Sequence, residues 1–306
     1  MSKAILAMKT VAIMAVLLAS AACEKKPAKA GDTGAINAMD RAGSEDPGGP
    51  ADTTPLEGVD ISKLSKEKQD VFYKLVGSLS SPCGKAHSLR TSYKTDTSCK
   101  RAPFAVRYVA ELLADEGTEA QVQEEYEKKY KSESPPVHLD VSKAPRIGND
   151  DAPIRLVEFF DYQCPHCQAF KPMLEQVLAD RGDKVVLHYM MFPLEKHTNS
   201  KLAAQGALAA AQMGKFHGMH DILFAKSPNH TKDDIMGYAK ELGLDAAQFA
   251  AAYDAAATHV ASDVAQGDGA GVDSTPTVFF NDHKYEGPMH PKYIEMWIDE
   301  ELAVNR

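Results

Sequence analysis

Positive charge is in short supply. Against 43 Asp and Glu the chain sets only 34 Lys and Arg, a formal net charge of −9 at pH 7. Such a balance lacks the basic face of a nucleic-acid binder. Long hydrophobic runs are scarce as well. Beyond the apolar stretch from Val11 to Leu18, nothing approaches the roughly 20 residues that a membrane-crossing helix needs. Residues 24–55 almost lack large apolar side chains, so they cannot bury enough surface to offset the entropy of ordering. They are expected to form a flexible tether, assigned to 23–56. Cysteine is sparse and odd in number: five, at 23, 83, 99, 164 and 167. What remains is ample. With 306 residues and 44% hydrophobic composition there is material for one large or two ordinary domains.

Lys3 and Lys9, the apolar run and Ala19–Ser20–Ala21–Ala22 have the form of a secretory signal, assigned to 1–22 and removed on export. Export places the cysteines in an oxidising compartment, where an odd thiol is a liability. The small residues before Cys23 resemble the lipobox of bacterial lipoproteins. Lipidation of Cys23 would leave four cysteines to pair. Ser20 stands where that motif usually has Leu, and cleavage after Ala21 with a free Cys23 is the competing reading. The resulting address is the bacterial cell envelope, on the periplasmic side, held to the membrane through the lipid.

From 57 to 134 the pattern is helical. Leu64, Val71, Phe72, Leu75, Val76 and Leu79 share a face, with Ser65 as N-cap. Phe104, Tyr108, Val109, Leu112 and Leu113 form a second face, and Thr118 with Gln121 matches a capping box for a third helix. Cys83 and Cys99 lie between the first two. They are expected to staple this small all-helical domain, a contribution of roughly 3 kcal/mol for a loop of that length. A second redox pair is the sharper alternative. Pro82–Cys83, Ser88–Leu89 and Glu116–Gly117–Thr118 resemble the helical domain of CcmH-type thiol reductases of cytochrome c maturation. Those proteins carry a Cys-x-x-Cys here and this chain does not, so no catalytic residue carries over.

Val137, Leu139 and Val141 alternate as a strand would. A turn through Gly148 to Pro153 leads to a strand over Ile154–Phe160, apolar on both faces except for Arg155 and Glu158. Then comes Cys164–Pro165–His166–Cys167. Two cysteines flanking two residues at a helix start can form and break a small-loop disulfide. The N-terminal end of that helix favours a thiolate on Cys164. His166 can add a hydrogen bond or positive charge, and Pro165 suits the first helical position. A further strand spans Lys184 to Met191, residues 199–265 are helical, and Thr275–Pro276 introduces a β-branched and aromatic strand. A special, cis peptide bond is expected there. His217 and His220 are read as helix-packing or surface histidines.

Several stretches together resemble the DsbA-like thioredoxin-fold thiol:disulfide oxidoreductases over about 147–303. They are Val157 through Cys167; Gly214–Lys215–Phe216 with His220–Asp221 and Leu223–Phe224; Glu241 through Asp245; and Gly271–Val272 through Thr275–Pro276–Thr277. The resemblance implies an α/β thioredoxin fold over 135–306 with the family's helical insertion at 199–265, preceded by the small helical domain. It implies that Cys164 is the exposed nucleophile, Cys167 the buried resolving thiol and His166 a stabiliser of the Cys164 thiolate. Glu158 would be a buried acid moving protons to or from Cys167. Thr275 and cis Pro276 would offer backbone groups to a bound peptide. Two departures concern direction. Lys171 stands where well-known members carry an acid, and Thr275 is typical of isomerase and reductase branches.

The expected activity is disulfide formation in exported proteins, whose thiols are the substrates. A membrane or periplasmic redox partner recycles the pair, and no cofactor, metal or nucleic acid is involved. An isomerase or reductase, serving for example cytochrome c maturation, is the alternative. A metal-binding envelope protein using Cys164, Cys167 and His166 as soft ligands is a third, but it gives Pro165 and the Thr275–Pro276 loop no purpose.

Overall fold

A side-chain oxygen opens each of the first two helices among the described residues. The structure, a computed structural model, describes residues 51–131 and 135–304. The signal peptide, Cys23 and most of the tether lie outside the described residues. Helix α1, Lys66–Ser78, starts where Ser65 accepts the Lys68 N–H, and α2, Leu89–Thr95, where Ser88 accepts that of Thr91. A hydroxyl so placed satisfies a donor that the helix leaves unpaired. Helix α3, Ala102–Ala114, has proline in its first turn instead. Helix α4, Glu119–Lys131, is entered through reciprocal bonds: Gln121 N–H donates to Thr118 Oγ1, and Gln121 Oε1 accepts the Thr118 N–H at 3.0 Å. A disulfide joins Cys83 to Cys99. Inside its loop lies α2, which the sequence pattern did not predict because seven residues are too few to show a face.

The apolar faces of α1, α3 and α4 meet around Phe72, Val76, Val109, Leu113 and Tyr126, but they do not close the core alone. Tyr293 and Met296, from the last helix of the chain, complete it.

The rest is built on a five-stranded sheet of order β1-β3-β2-β4-β5. The strands are β1, Arg146–Gly148; β2, Ile154–Phe160; β3, Val185–Met191; β4, Thr277–Phe280; and β5, His283–Lys284. β2 and β3 run parallel and the other pairs antiparallel. The crossover from β2 to β3 is helix α5, Pro165–Arg181, which continues through Pro172. Helices α6, Ser200–Gln212, α7, Phe216–Ala225, α8, Lys232–Glu241, and α9, Ala246–Gly269, follow β3 as an insertion. Helix α10, Pro291–Val304, closes the chain.

Period-2 geometry sorts the side chains of β2. Ile154, Leu156 and Phe160 face the core shared with α5, the insertion and α10, whereas Val157 and Phe159 face the opposite layer. Glu158 keeps the register of Leu156 and Phe160, so its carboxyl enters the α5 side. It is this register that brings an acid beneath α5.

One strand expectation needs correction. Residues 137–141 are not a strand. Their backbone reaches outward only to isolated partners, with Val137 N–H donating to Asp282 O at 2.7 Å and Asp140 N–H to Gln266 Oε1 at 2.7 Å. Val137, Leu139 and Val141 nevertheless pack on the sheet face of Phe159 and Phe279. Alternation here reflects an extended chain lying over a sheet. The strand lies later, at β1, where Gly148 has φ +107° and a Cβ would meet Val185 O at 2.4 Å. At the other edge a hairpin pairs β5 with β4, Lys284 opposite Phe279 and His283 opposite Phe280, and the Tyr285 N–H donates to Val278 O at 2.8 Å.

Candidate active site

Cys164 is the N-cap of α5. Its carbonyl accepts the first helical N–H, that of Gln168, at 3.1 Å, and its own N–H donates to Asp161 O at 3.1 Å. Pro165 fills the first helical position, where a missing N–H costs nothing. Cys167 follows three residues on and turns its thiol inward, onto the sheet face that carries Glu158. Because β4 pairs antiparallel with β2, with Thr277 opposite Phe159, the residues preceding β4 arrive beside the end of β2. Those residues are Thr275 and Pro276, joined by a cis peptide bond. The Cys164 Sγ–H donates to Thr275 O at 3.3 Å. The strand end, the helix start and the loop thus converge on one sulfur.

Both cysteines are in the thiol form. The sequence comparison implied an exposed Cys164, and here the structure differs: the residue keeps only 4% of its surface. The Thr275 carbonyl lies directly against the sulfur.

Electrostatics divide the pair. The Cys167 thiol, donating to the Cys164 sulfur, holds the Cys164 thiol down at about 5. The Thr275 side chain and the backbone N–H groups of Cys167 and His166 act in the same direction, against burial. The Thr275 hydroxyl is buried and has no hydrogen-bond partner within ordinary distance. Burial drives the Cys167 thiol far above its ordinary range, reinforced by Cys164 and by the charge of Glu158. One sulfur is thus poised to be a thiolate and the other to keep its proton. His166 meets the sulfur through its backbone N–H, while its imidazole is exposed.

Glu158 is 4% exposed. Burial pushes its carboxyl up to about 8, with the Lys171 ammonium pulling the other way. Lys171 itself bridges Asp221 at 2.8 Å and Glu175. His220 is buried among Phe160, Tyr162, Tyr189 and Phe216 and hydrogen-bonds the Tyr162 hydroxyl at 3.0 Å. Among the described residues no group of three or more His, Cys, Asp or Glu side chains is placed to hold a metal.

Sequence reasoning missed Asp161, His197, Ser200 and Gln163, which form a network around the loop before Cys164. The one local signal was Asp161 two residues before Gln163, a spacing at which an aspartate caps its own backbone. The distant partners carry no periodic mark.

A family profile described as thioredoxin matches residues 140–300. Among solved structures, the chain is similar to oxidised BdbD from Bacillus subtilis. The two are 25% identical with a TM-score of 0.50, covering 56% of this chain and 99% of that one. A thioredoxin-like oxidoreductase from Silicibacter pomeroyi DSS-3 is 30% identical over 51% of this chain and 91% of that chain, with a TM-score of 0.47. Among curated proteins, 144 residues are 35% identical to part of Na(+)/H(+) antiporter NhaA 3 of Salinispora tropica, 46% of this chain and 22% of the antiporter. The chain therefore spans about a fifth of the length of the curated relatives it matches. No helix among the described residues is long and apolar enough to cross a membrane. A thioredoxin sheet, a helical insertion after β3, a Cys-Pro-His-Cys at a helix start and a cis-proline loop against it occur together with the profile match, and the chain belongs to the thioredoxin family.

Proposed function

We propose that this protein forms disulfides in exported proteins on the periplasmic side of a bacterial envelope, exchanging them through Cys164 and Cys167. The single observation behind this direction is the Cys164 thiol held at about 5. A thiolate so stabilised favours the reduced pair, which makes the corresponding disulfide an oxidant.

In the forward reaction a client thiolate attacks Cys164 Sγ of the Cys164–Cys167 disulfide. A mixed disulfide forms, and Cys167 leaves as a thiolate. The high proton affinity of the buried Cys167 draws a proton at once, for which Glu158 is the donor. A second client thiolate then attacks the client sulfur, closing the client disulfide and releasing Cys164 as a thiolate. Two electrons pass from client to enzyme, and a separate redox partner removes them. The Thr275 carbonyl, now bonded to the Cys164 thiol, and cis Pro276 present the backbone edge along which the client peptide lies.

Equilibration of the Cys164–Cys167 pair with glutathione is the test. The expected potential lies toward DsbA's value of about −120 mV, and a value near thioredoxin's, about −270 mV, would overturn the oxidative direction. Thr275 and the Lys171–Asp221 ion pair favour a second reading, an isomerase or reductase. It predicts the lower potential and efficient repair of scrambled disulfides. The membrane address rests on Cys23, and the mass of the mature N-terminus checks it.

A further inference from the structure

The residue directly after β2 hydrogen-bonds both cysteines of the pair. The Asp161 carbonyl accepts the Cys164 N–H, and the Asp161 N–H donates to the Cys167 sulfur. Its side chain is fully enclosed and accepts four donors. Oδ1 receives the Gln163 N–H at 2.6 Å and the Ser200 hydroxyl; Oδ2 receives the Leu194 N–H at 2.8 Å and His197 Nδ1 at 2.7 Å. These donors come from the site loop itself, from the chain leaving β3 and from the first residue of α6. Gln163 adds a second tie, accepting the Asn199 N–H at 3.0 Å and donating to Pro228 O at 2.8 Å. Nothing in the disulfide chemistry uses this carboxylate. A buried carboxylate that loses its donors is expensive, so four donors converging on one make a rigid joint.

We propose that Asp161 is a positioning residue: its carboxylate clamps the Cys164 loop to the insertion and so holds the Cys164 sulfur over the N-terminus of α5. The inference rests on the thiol:disulfide reading of that site. Stabilisation of a thiolate by helix N–H groups falls off within the first turn, so a loop that drifts loses it. Asn at 161 keeps the size but turns one acceptor oxygen into an NH2 facing N–H donors, which opens the clamp.

The position also allows the opposite sign. If the Asp161 charge acted on the sulfur directly, removing it would stabilise the thiolate. The clamp predicts destabilisation.

The experiment is the ultraviolet thiolate titration of reduced Asp161→Asn in the full-length protein, paired with iodoacetamide alkylation of Cys164. Expected is a rise in the Cys164 pKa of about one unit, hence an about tenfold smaller thiolate fraction at a pH below both values. Ser200→Ala and His197→Ala, each removing one donor, should shift it the same way by less. These milder variants carry the test if Asp161→Asn fails to fold. A thiolate pKa unchanged or lowered in folded variants, even with reduced thermal stability, overturns the clamp. The titration reads the free enzyme, so a wild type without disulfide-exchange activity would sink the functional reading and leave this result standing.

Discussion

At the scale of single residues, the molecule makes two sulfurs unlike each other. Cys164 is an acid whose folded pKa, about 5, lies below its ordinary value of 9.0. A depressed acid stabilises the folded state above the unfolded pKa and loses that contribution as pH falls through the folded one. The oxidised form has no thiolate to lose. Reduced protein should therefore outlast oxidised protein in urea most clearly near pH 9. The gap between their midpoints should close as pH is lowered to about 5, and a gap independent of pH would contradict the assignment. Glu158 works with the opposite sign. Its carboxyl is raised from 4.5 to about 8, so it stabilises the fold while protonated and costs stability as pH rises from 4.5 through 8. Glu158→Gln should flatten the stability profile across that window in oxidised protein, and it should slow the release of Cys167 in single-turnover exchange. Cys167→Ala should trap clients on Cys164 as mixed disulfides, visible on non-reducing gels. Trapping through Cys83 instead would show that the second pair is reactive.

At the scale of elements, legibility followed periodicity. β2, β3 and α5 could be read because each packs a face, and the cysteine pair because its spacing is local. Residues 137–141 alternate without pairing, since an extended layer over Phe159 and Phe279 buries every second side chain just as a strand does. Asp161 stayed silent for another reason. Its partners at 194, 197 and 200 lie more than thirty positions away, brought back only by the β2–α5–β3 crossover. A close approach is equally invisible in sequence. At Gly267 of α9 a Cβ would meet the Phe192 ring at 2.6 Å and the Phe159 ring at 3.1 Å. Those two rings pack edge to face, with centroids 6.1 Å apart, and have little room to turn. Gly267→Ala gains helix propensity worth up to about 1 kcal/mol. Overpacking at a cost of about 1–3 kcal/mol should outweigh it, lowering the thermal midpoint.

At the scale of the whole molecule, the helical segment and the thioredoxin body share α10. One face of that helix gives Tyr293 and Met296 to the helical core, and another gives Ile294 and Ile298 to the sheet core. A buried charge cluster reinforces the seam. Glu300 accepts from Arg101 at 2.8 Å and from the Tyr130 hydroxyl at 2.9 Å, and it pairs with Lys129 at 3.0 Å. Glu300→Gln takes the salt-bridge partner from the buried Lys129 ammonium, while Arg101 keeps Glu301 at 3.1 Å, so a loss of about 3 kcal/mol is expected in denaturant titration. Replacing Cys83 and Cys99 together by serine should cost roughly 3 kcal/mol. Alkylation of Cys164 should be unchanged, which separates a staple from a redox partner.

The chain has one tryptophan, and it sits on that seam. The Trp297 indole stacks on Phe280 of the sheet and meets Tyr285 edge to face, while the Lys129 ammonium from α4 lies 3.2 Å from its ring centre. Protein emission is thus an unlabelled optical gauge of whether the two parts are joined. If they melt as one, emission and far-ultraviolet dichroism will give the same midpoint. Were the helical segment to peel away first, the fluorophore would lose its cation and brighten or shift while the sheet stayed folded.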